Sequence, residues 1–130
     1  MNPIALAFLG DAVYEQFIRE RIIGAGIGGG HADRLHQAAV RYVCAGAQAK
    51  VMSLLFALSP EDGGLSEDEA ALARRARNHK IATKPRNAGA AEYKSATAFE
   101  ALLGYLWLSD RKDRCLELME KAAVFTEGRK

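Results

Sequence analysis

The 130-residue sequence predicts an all-α fold, and three observations carry that prediction. Apolar residues recur at steps of three and four in one segment after another. No stretch alternates with period two for long enough to form a strand. Clusters of glycine and proline stand between the periodic segments. A chain of this length is most simply one domain, residues 1–130, large enough to bury roughly two-thirds of the surface its unfolded form exposes.

The first helix is expected over Pro3–Ile23, with proline placed near the start and Leu6, Leu9, Val13 and Phe17 as its inward stripe. Gly24 to Gly30 ends it. This glycine cluster has neither the GxGxxG spacing nor the following lysine of a phosphate-cradling loop, so it reads as a connection. A second helical segment, about Ala32–Leu58, is rich in alanine and carries Leu35, Ala39, Tyr42 and Val43 at helical spacing. Pro60, Gly63 and Gly64 close it. "SEDEAALARRARNHK" then reads as a capped helix, with Ser66 and Glu69 as a capping box and basic residues toward the C-terminal end of the dipole. Residues 81 to about 91, with Pro85 and Gly89, read as an irregular surface loop. "SATAFEALLGYLWLSD" follows with the apolar stripe Phe99, Leu102, Leu103 and Leu106, and a last helix is expected over about Arg111–Phe125.

Composition excludes several classes. Hydrophobic residues at 49% and charged residues at 26% are those of an ordinary globular domain, and no apolar run is long enough for a bilayer. The N-terminus lacks the basic, apolar, small-residue order of a signal peptide, which gives the expectation of a cytoplasmic protein. Cys44 and Cys115 have no paired spacing and read as reduced thiols in a packed core. His31, His36 and His79 form no zinc constellation and read as surface or capping residues.

Two acids stand where an apolar helix does not want them. Asp11 lies in "LAFLGDAVYE", on a helix apolar on more than one side, and Glu100 is the only charge between Lys94 and Asp110. An ionised carboxylate in such surroundings costs several kcal/mol unless it is paired, hydrogen-bonded or bound to a cation. If the two helices pack together, a divalent cation between the acids relieves both their burial and their mutual repulsion. Oxygen-only ligands point to Mg²⁺ or Mn²⁺. The small neighbours Gly10, Ala7 and Gly104 leave room for a metal and a substrate. Either acid alone also fits the wet side of an amphipathic helix. Glu15, one turn beyond Asp11, fits an outer role or an exposed pair with Arg19.

Positive charge gathers between Glu69 and Glu92, where no acid occurs. Arg74, Arg75, Arg77, Lys80, Lys84 and Arg86 fall there, with Asn78 among them. Such a run suits phosphate binding, or a solvated basic face at a helix C-terminus. The run has no aromatic residue, so a duplex gripped by shape and phosphate fits better than stacked single strands.

"LAFLGDAVYE" followed by "TAFEALLGYLWL" resembles the two signature segments of the ribonuclease III catalytic domain. With "RARN" before the basic loop, the likeness to the small Mini-ribonuclease III branch runs over nearly the whole chain. The resemblance implies a ribonuclease III endonuclease-domain-like helical fold without a separate RNA-binding domain. It also implies a homodimer that hydrolyses double-stranded RNA with Mg²⁺ and matures the 23S ribosomal RNA precursor. Asp11 matches the aspartate of the "LGD" motif and Glu100 the glutamate of "FEA", so the resemblance gives these two the catalytic and metal-ligand roles, with substrate grip left to the basic run. Full-length members have two further acids, where this chain has Ala7 and Thr97, so the protein ligand set is thinner. The alternative is a non-catalytic RNA-binding or ribosome-assembly module that keeps the fold and the basic loop.

Overall fold

The computed structural model describes residues 2–79 and 88–128. Among the described residues there are six helices, α1 (Pro3–Gly24), α2 (Ala32–Val43), α3 (Ala45–Ala57), α4 (Glu67–Arg77), α5 (Ala88–Leu108) and α6 (Lys112–Thr126), and a 3₁₀ turn at Pro60–Asp62 between α3 and α4. Among the described residues there is no strand. None of these helices is long and apolar enough to cross a membrane.

Local chemistry sets the helix ends. The Asn2 side chain accepts a hydrogen bond from the Ile4 amide at 2.7 Å, and Pro3 fills the first turn of α1, where its missing N–H leaves no donor wanting. At α4 both halves of the capping box form: the Glu69 amide donates to Ser66 Oγ at 3.3 Å and the Ser66 amide to Glu69 Oε1 at 2.9 Å. Gly63 turns the chain between the 3₁₀ turn and α4 with φ +92°, a conformation that strains any L side chain.

Helix α5 is the axis of the molecule. It packs against α1, α3, α4 and α6, most extensively against α1, and Ala98, Phe99, Ala101, Leu102, Leu103 and Leu106 are all fully buried. The expected stripe on this helix is therefore its core face. On α1 the expected stripe is rotated. Leu6 is buried, but Leu9, Val13 and Phe17 are half-buried, and the innermost line is Gly10, Tyr14, Ile18 and Ile22, at steps of four. Tyr14 meets the Phe99 ring edge-on, with centroids 5.1 Å apart.

Three further expectations need correction. The segment 32–58 is two helices, because Cys44 adopts an extended backbone (φ −67°, ψ 155°) that ends α2 and starts α3. Neither Gly nor Pro marks this break. It is tolerated because the Gln48 side chain donates to the freed Val43 carbonyl at 3.2 Å, and it turns Val51, Met52 and Leu55 into the core. Helix α5 starts at Ala88, so Gly89 belongs to a helix rather than to a loop that runs to about 91. Cys44 is exposed at the α2–α3 junction, and only Cys115 is a core thiol.

Polar anchors lock the ends of the bundle. Arg114 of α6 grips the buried Glu69 through both carboxylate oxygens, at 2.8 and 2.9 Å, and the Gly64 carbonyl at 3.0 Å. Burial works to raise the Glu69 carboxyl, but the bonds from Arg114 and the Ser66 amide, and the charge of Arg111, outweigh it and hold the group below its ordinary value. At the opposite end Arg21 bonds both Glu127 oxygens, at 2.8 and 2.9 Å, while Tyr42 donates to the same carboxylate at 2.8 Å. That set of bonds joins α1 and α2 to the C-terminal end of α6.

Candidate active site

Helices α1 and α5 cross where two glycines face each other. A Cβ on Gly10 would overlap the Glu100 carbonyl oxygen and lie 2.6 Å from its carbonyl carbon. One on Gly104 would overlap the Leu6 carbonyl oxygen and lie 3.2 Å from the Gly10 nitrogen. The two backbones are therefore in direct contact. Gly10 and Gly104 were expected to leave space for a metal and substrate, and the structure uses that space for the helix crossing instead.

The crossing sets Asp11, next to Gly10, beside Glu100, one turn before Gly104. The two carboxyl groups are close enough to act on each other, and the Gln48 side chain acts on Glu100 as well. The pair is not sunk in an oily interior as the sequence suggests. Asp11 is exposed and Glu100 half-buried, because the rotation of α1 that brings Gly10 inward turns the next residue toward solvent. The Glu100 carboxyl is pushed up to about 8, first by burial and next by the negative charge of Asp11, with smaller upward effects from the hydrogen bond with Asp11 and the charge of Glu15. The Gln48 bond works in the opposite direction.

This arrangement fits a hard divalent cation. Two carboxylates converge, and burial together with their mutual repulsion favours a proton on Glu100 in the absence of a cation. Among the described residues no group of three or more His, Cys, Asp or Glu is placed to hold a metal. A thin, all-oxygen donor set suits Mg²⁺ or Mn²⁺, which Mg²⁺ completes with water and phosphate oxygens, and does not suit a structural zinc site. Neither Thr97 nor Ala7 offers a carboxylate; the Thr97 hydroxyl donates to the Tyr93 carbonyl of its own helix at 2.9 Å, and both residues are buried. Glu15 pairs with Arg19 at 3.0 Å.

The residues expected to grip RNA divide into three groups. Arg74, Arg75 and Asn78 are exposed at the C-terminal end of α4, whose inner side is Leu72, Ala73 and Ala76. Arg77 is half-buried, with its guanidinium 4.9 Å above the Phe56 ring, so a cation–π contact holds it against α3. Lys80, Lys84 and Arg86 lie outside the described residues.

Gln48 is the site residue that the sequence reading missed. A signal was present: position 48 falls on the same helix face as Val51, Met52 and Leu55, and a polar amide there breaks the pattern. Its partner is 52 positions away along the chain, and nothing local announces such a contact.

The chain matches the family described as Ribonuclease III domain over residues 4–111. Mini-ribonuclease 3 of Symbiobacterium thermophilum is 44% identical over 98% of this chain and 92% of its own length. Mini-ribonuclease 3 of Brevibacillus brevis is 42% identical, over 98% of this chain and 89% of its own. The crystal structure of a Fusobacterium nucleatum protein superposes with a TM-score of 0.77 at 28% identity, covering 94% of this chain and 91% of that one.

Proposed function

Because this chain belongs to the ribonuclease III family and is an endoribonuclease, we propose that it cleaves double-stranded RNA with a divalent cation held by Asp11 and Glu100. The observation that carries this reading is the glycine crossing of α1 and α5, which sets two carboxylates from distant parts of the chain against each other at a solvent-open face. The extent of the match to Mini-ribonuclease 3 proteins supports the 23S ribosomal RNA precursor as substrate and the cytoplasm as the place of work. It also supports residues 1–130 as one catalytic domain.

Asp11 faces solvent and presents its carboxylate to an incoming phosphodiester. Glu100, fixed on the most buried helix, supplies the second oxygen donor from below. When bound, Mg²⁺ or Mn²⁺ supplies Lewis-acid chemistry, making water nucleophilic at neutral pH and offsetting charge at phosphorus. No side chain has to act as nucleophile. Arg74, Arg75 and Asn78 grip phosphates of the duplex, and Lys80, Lys84 and Arg86 continue the positive run along the sequence. Arg77 contributes charge from its place on Phe56. The working unit is a homodimer, which the unusual exposure of Phe8 on α1, at 84%, supports.

Incubating the protein with a long RNA duplex, with and without Mg²⁺, tests the reading. Cleavage is expected only with the cation. Asp11→Asn removes a ligand worth several kcal/mol of transition-state stabilisation, so the rate should fall on the order of 10³-fold, with duplex binding and the circular dichroism spectrum retained. Cleavage by Asp11→Asn at the unsubstituted rate would end the proposal.

A further inference from the structure

Three polar or charged side chains are buried among the described residues: Gln48, Glu69 and Thr97. Two have complete local explanations. Glu69 closes the capping box and receives Arg114, and Thr97 bonds back to the Tyr93 carbonyl. Gln48 is explained only in part, by the cap that its amide gives the Val43 carbonyl. At 1% exposure it occupies the inward stripe of α3 with Val51, Met52 and Leu55, where a leucine would satisfy the helix pattern and bring no polar atoms to partner. A carboxamide brings two donors and one acceptor into that stripe.

One of its donors is spent on backbone. The Val43 carbonyl, released from α2 where the backbone breaks at Cys44, accepts from Gln48 Nε2 at 3.2 Å. Helix α3 packs against α5, and there the Gln48 side chain acts on the Glu100 carboxyl group and favours its ionised form. The amide is thus anchored to backbone on one side and directed at an acid on the other. Thr97, one turn earlier on the same helix, directs its hydroxyl to the Tyr93 carbonyl, which leaves Gln48 and Asp11 as the groups that act on Glu100 from other helices.

We infer that Gln48 is the positioning residue of the acid pair: its amide fixes the Glu100 carboxylate so that the free oxygen faces the cation site shared with Asp11. This rests on the reading of Asp11 and Glu100 as cation ligands. A carboxylate that can rotate must be ordered each time a cation binds, whereas one held by a buried amide is already aligned. Hydrogen-bond partners behind metal ligands commonly change metal affinity 10- to 100-fold. The break between α2 and α3 gains a purpose, since it supplies the carbonyl that pins the amide.

The test uses Mn²⁺ as the probe, without RNA, by the loss of the free-ion electron paramagnetic resonance signal. Gln48→Leu should keep the helical circular dichroism spectrum and bind Mn²⁺ roughly 10-fold more weakly. The Mg²⁺ concentration for half-maximal cleavage of an RNA duplex should rise by a similar factor. A merely structural glutamine would lower thermal stability and leave the affinity of the folded protein unchanged, and that result would overturn the inference. A second measurement has an arm that reads the unsubstituted protein directly. In ¹⁵N-labelled unsubstituted protein the Gln48 side-chain NH₂ resonances should shift saturably with Mg²⁺ and stop responding in Glu100→Gln. Resonances indifferent to Mg²⁺ in the unsubstituted protein would also overturn it. If unsubstituted protein binds Mn²⁺ and cleaves duplex while Gln48→Leu matches it in both, only the role of Gln48 falls. If unsubstituted protein does neither, the proposed function falls with it.

Discussion

Glu69 and Glu100 are both withdrawn from solvent, and what faces them drives their protonation in opposite directions. Arg114 and the Ser66 amide hold Glu69 below its ordinary value, so its contribution to stability is present above the usual carboxylate range and lost as acid protonates it. Glu100 is raised from 4.5 to about 8 by burial and by Asp11. A raised acid means that the folded state binds more protons than the unfolded one between those values, and stability falls as pH rises through the window. The cation-free protein should therefore lose melting temperature between about pH 5 and pH 8, as read by circular dichroism. Glu100→Gln should remove that slope, and Mg²⁺ at pH 8 should restore the lost stability, because a cation favours the ionised pair. A melting temperature flat across this range would show Glu100 ionised throughout. The identity of this residue was legible from its isolation in an apolar segment. Its partnership with Gln48 was not, because a contact between α3 and α5 is a tertiary fact with no local pattern.

At the scale of helices, legibility followed periodicity and failed where packing overrode it. The stripe of α5 and the capping box of α4 are local, and both formed as the sequence implies. The inner face of α1 is set by a different cause. Gly10 must meet Gly104, so the helix rotates to bring Tyr14, Ile18 and Ile22 inward, whatever the hydrophobicity of Leu9 and Phe17. Gly10→Ala tests that cause. A methyl group there collides with the Glu100 backbone, which a flexible side chain cannot relieve. The variant should lose about 1–3 kcal/mol, or a melting temperature roughly 5–15 °C lower, and the separated acids should lose cleavage activity even where the protein remains folded. Unchanged stability would mean that the helices are further apart than described. The basic end of α4 is testable at the same scale. Arg74→Glu with Arg75→Glu should weaken duplex binding and flatten its dependence on salt, as fewer counterions are released. Affinity with an unaltered salt slope would make this end a solvated face only.

The whole molecule carries a formal charge of only +2, so long-range attraction to RNA depends on how charge is placed rather than on its total. Apolar surface is placed just as unevenly. Phe8 is 84% exposed and Ile4 39% exposed on α1, the helix whose opposite side forms the crossing with α5. Phe8 and Ile4 are one turn apart, and Asp11 lies three residues beyond Phe8, so they share the face that carries the acid. Phe8 is the most exposed large apolar side chain among the described residues, and with Ile4 it makes an apolar face suited to being covered in use. A second copy related by a twofold axis would cover it with the same face, which sets two acid pairs within one assembly, one for each strand of a duplex. Phe8→Glu places a charge where the two copies would meet, and the expected outcome is a mass near 14 kDa in analytical ultracentrifugation against about twice that for the unsubstituted protein. The circular dichroism spectrum should not change, because Phe8 contributes little to the core of its own chain. A monomer in both cases would assign this face to RNA or to another protein, and would leave each acid pair to cut its strand alone.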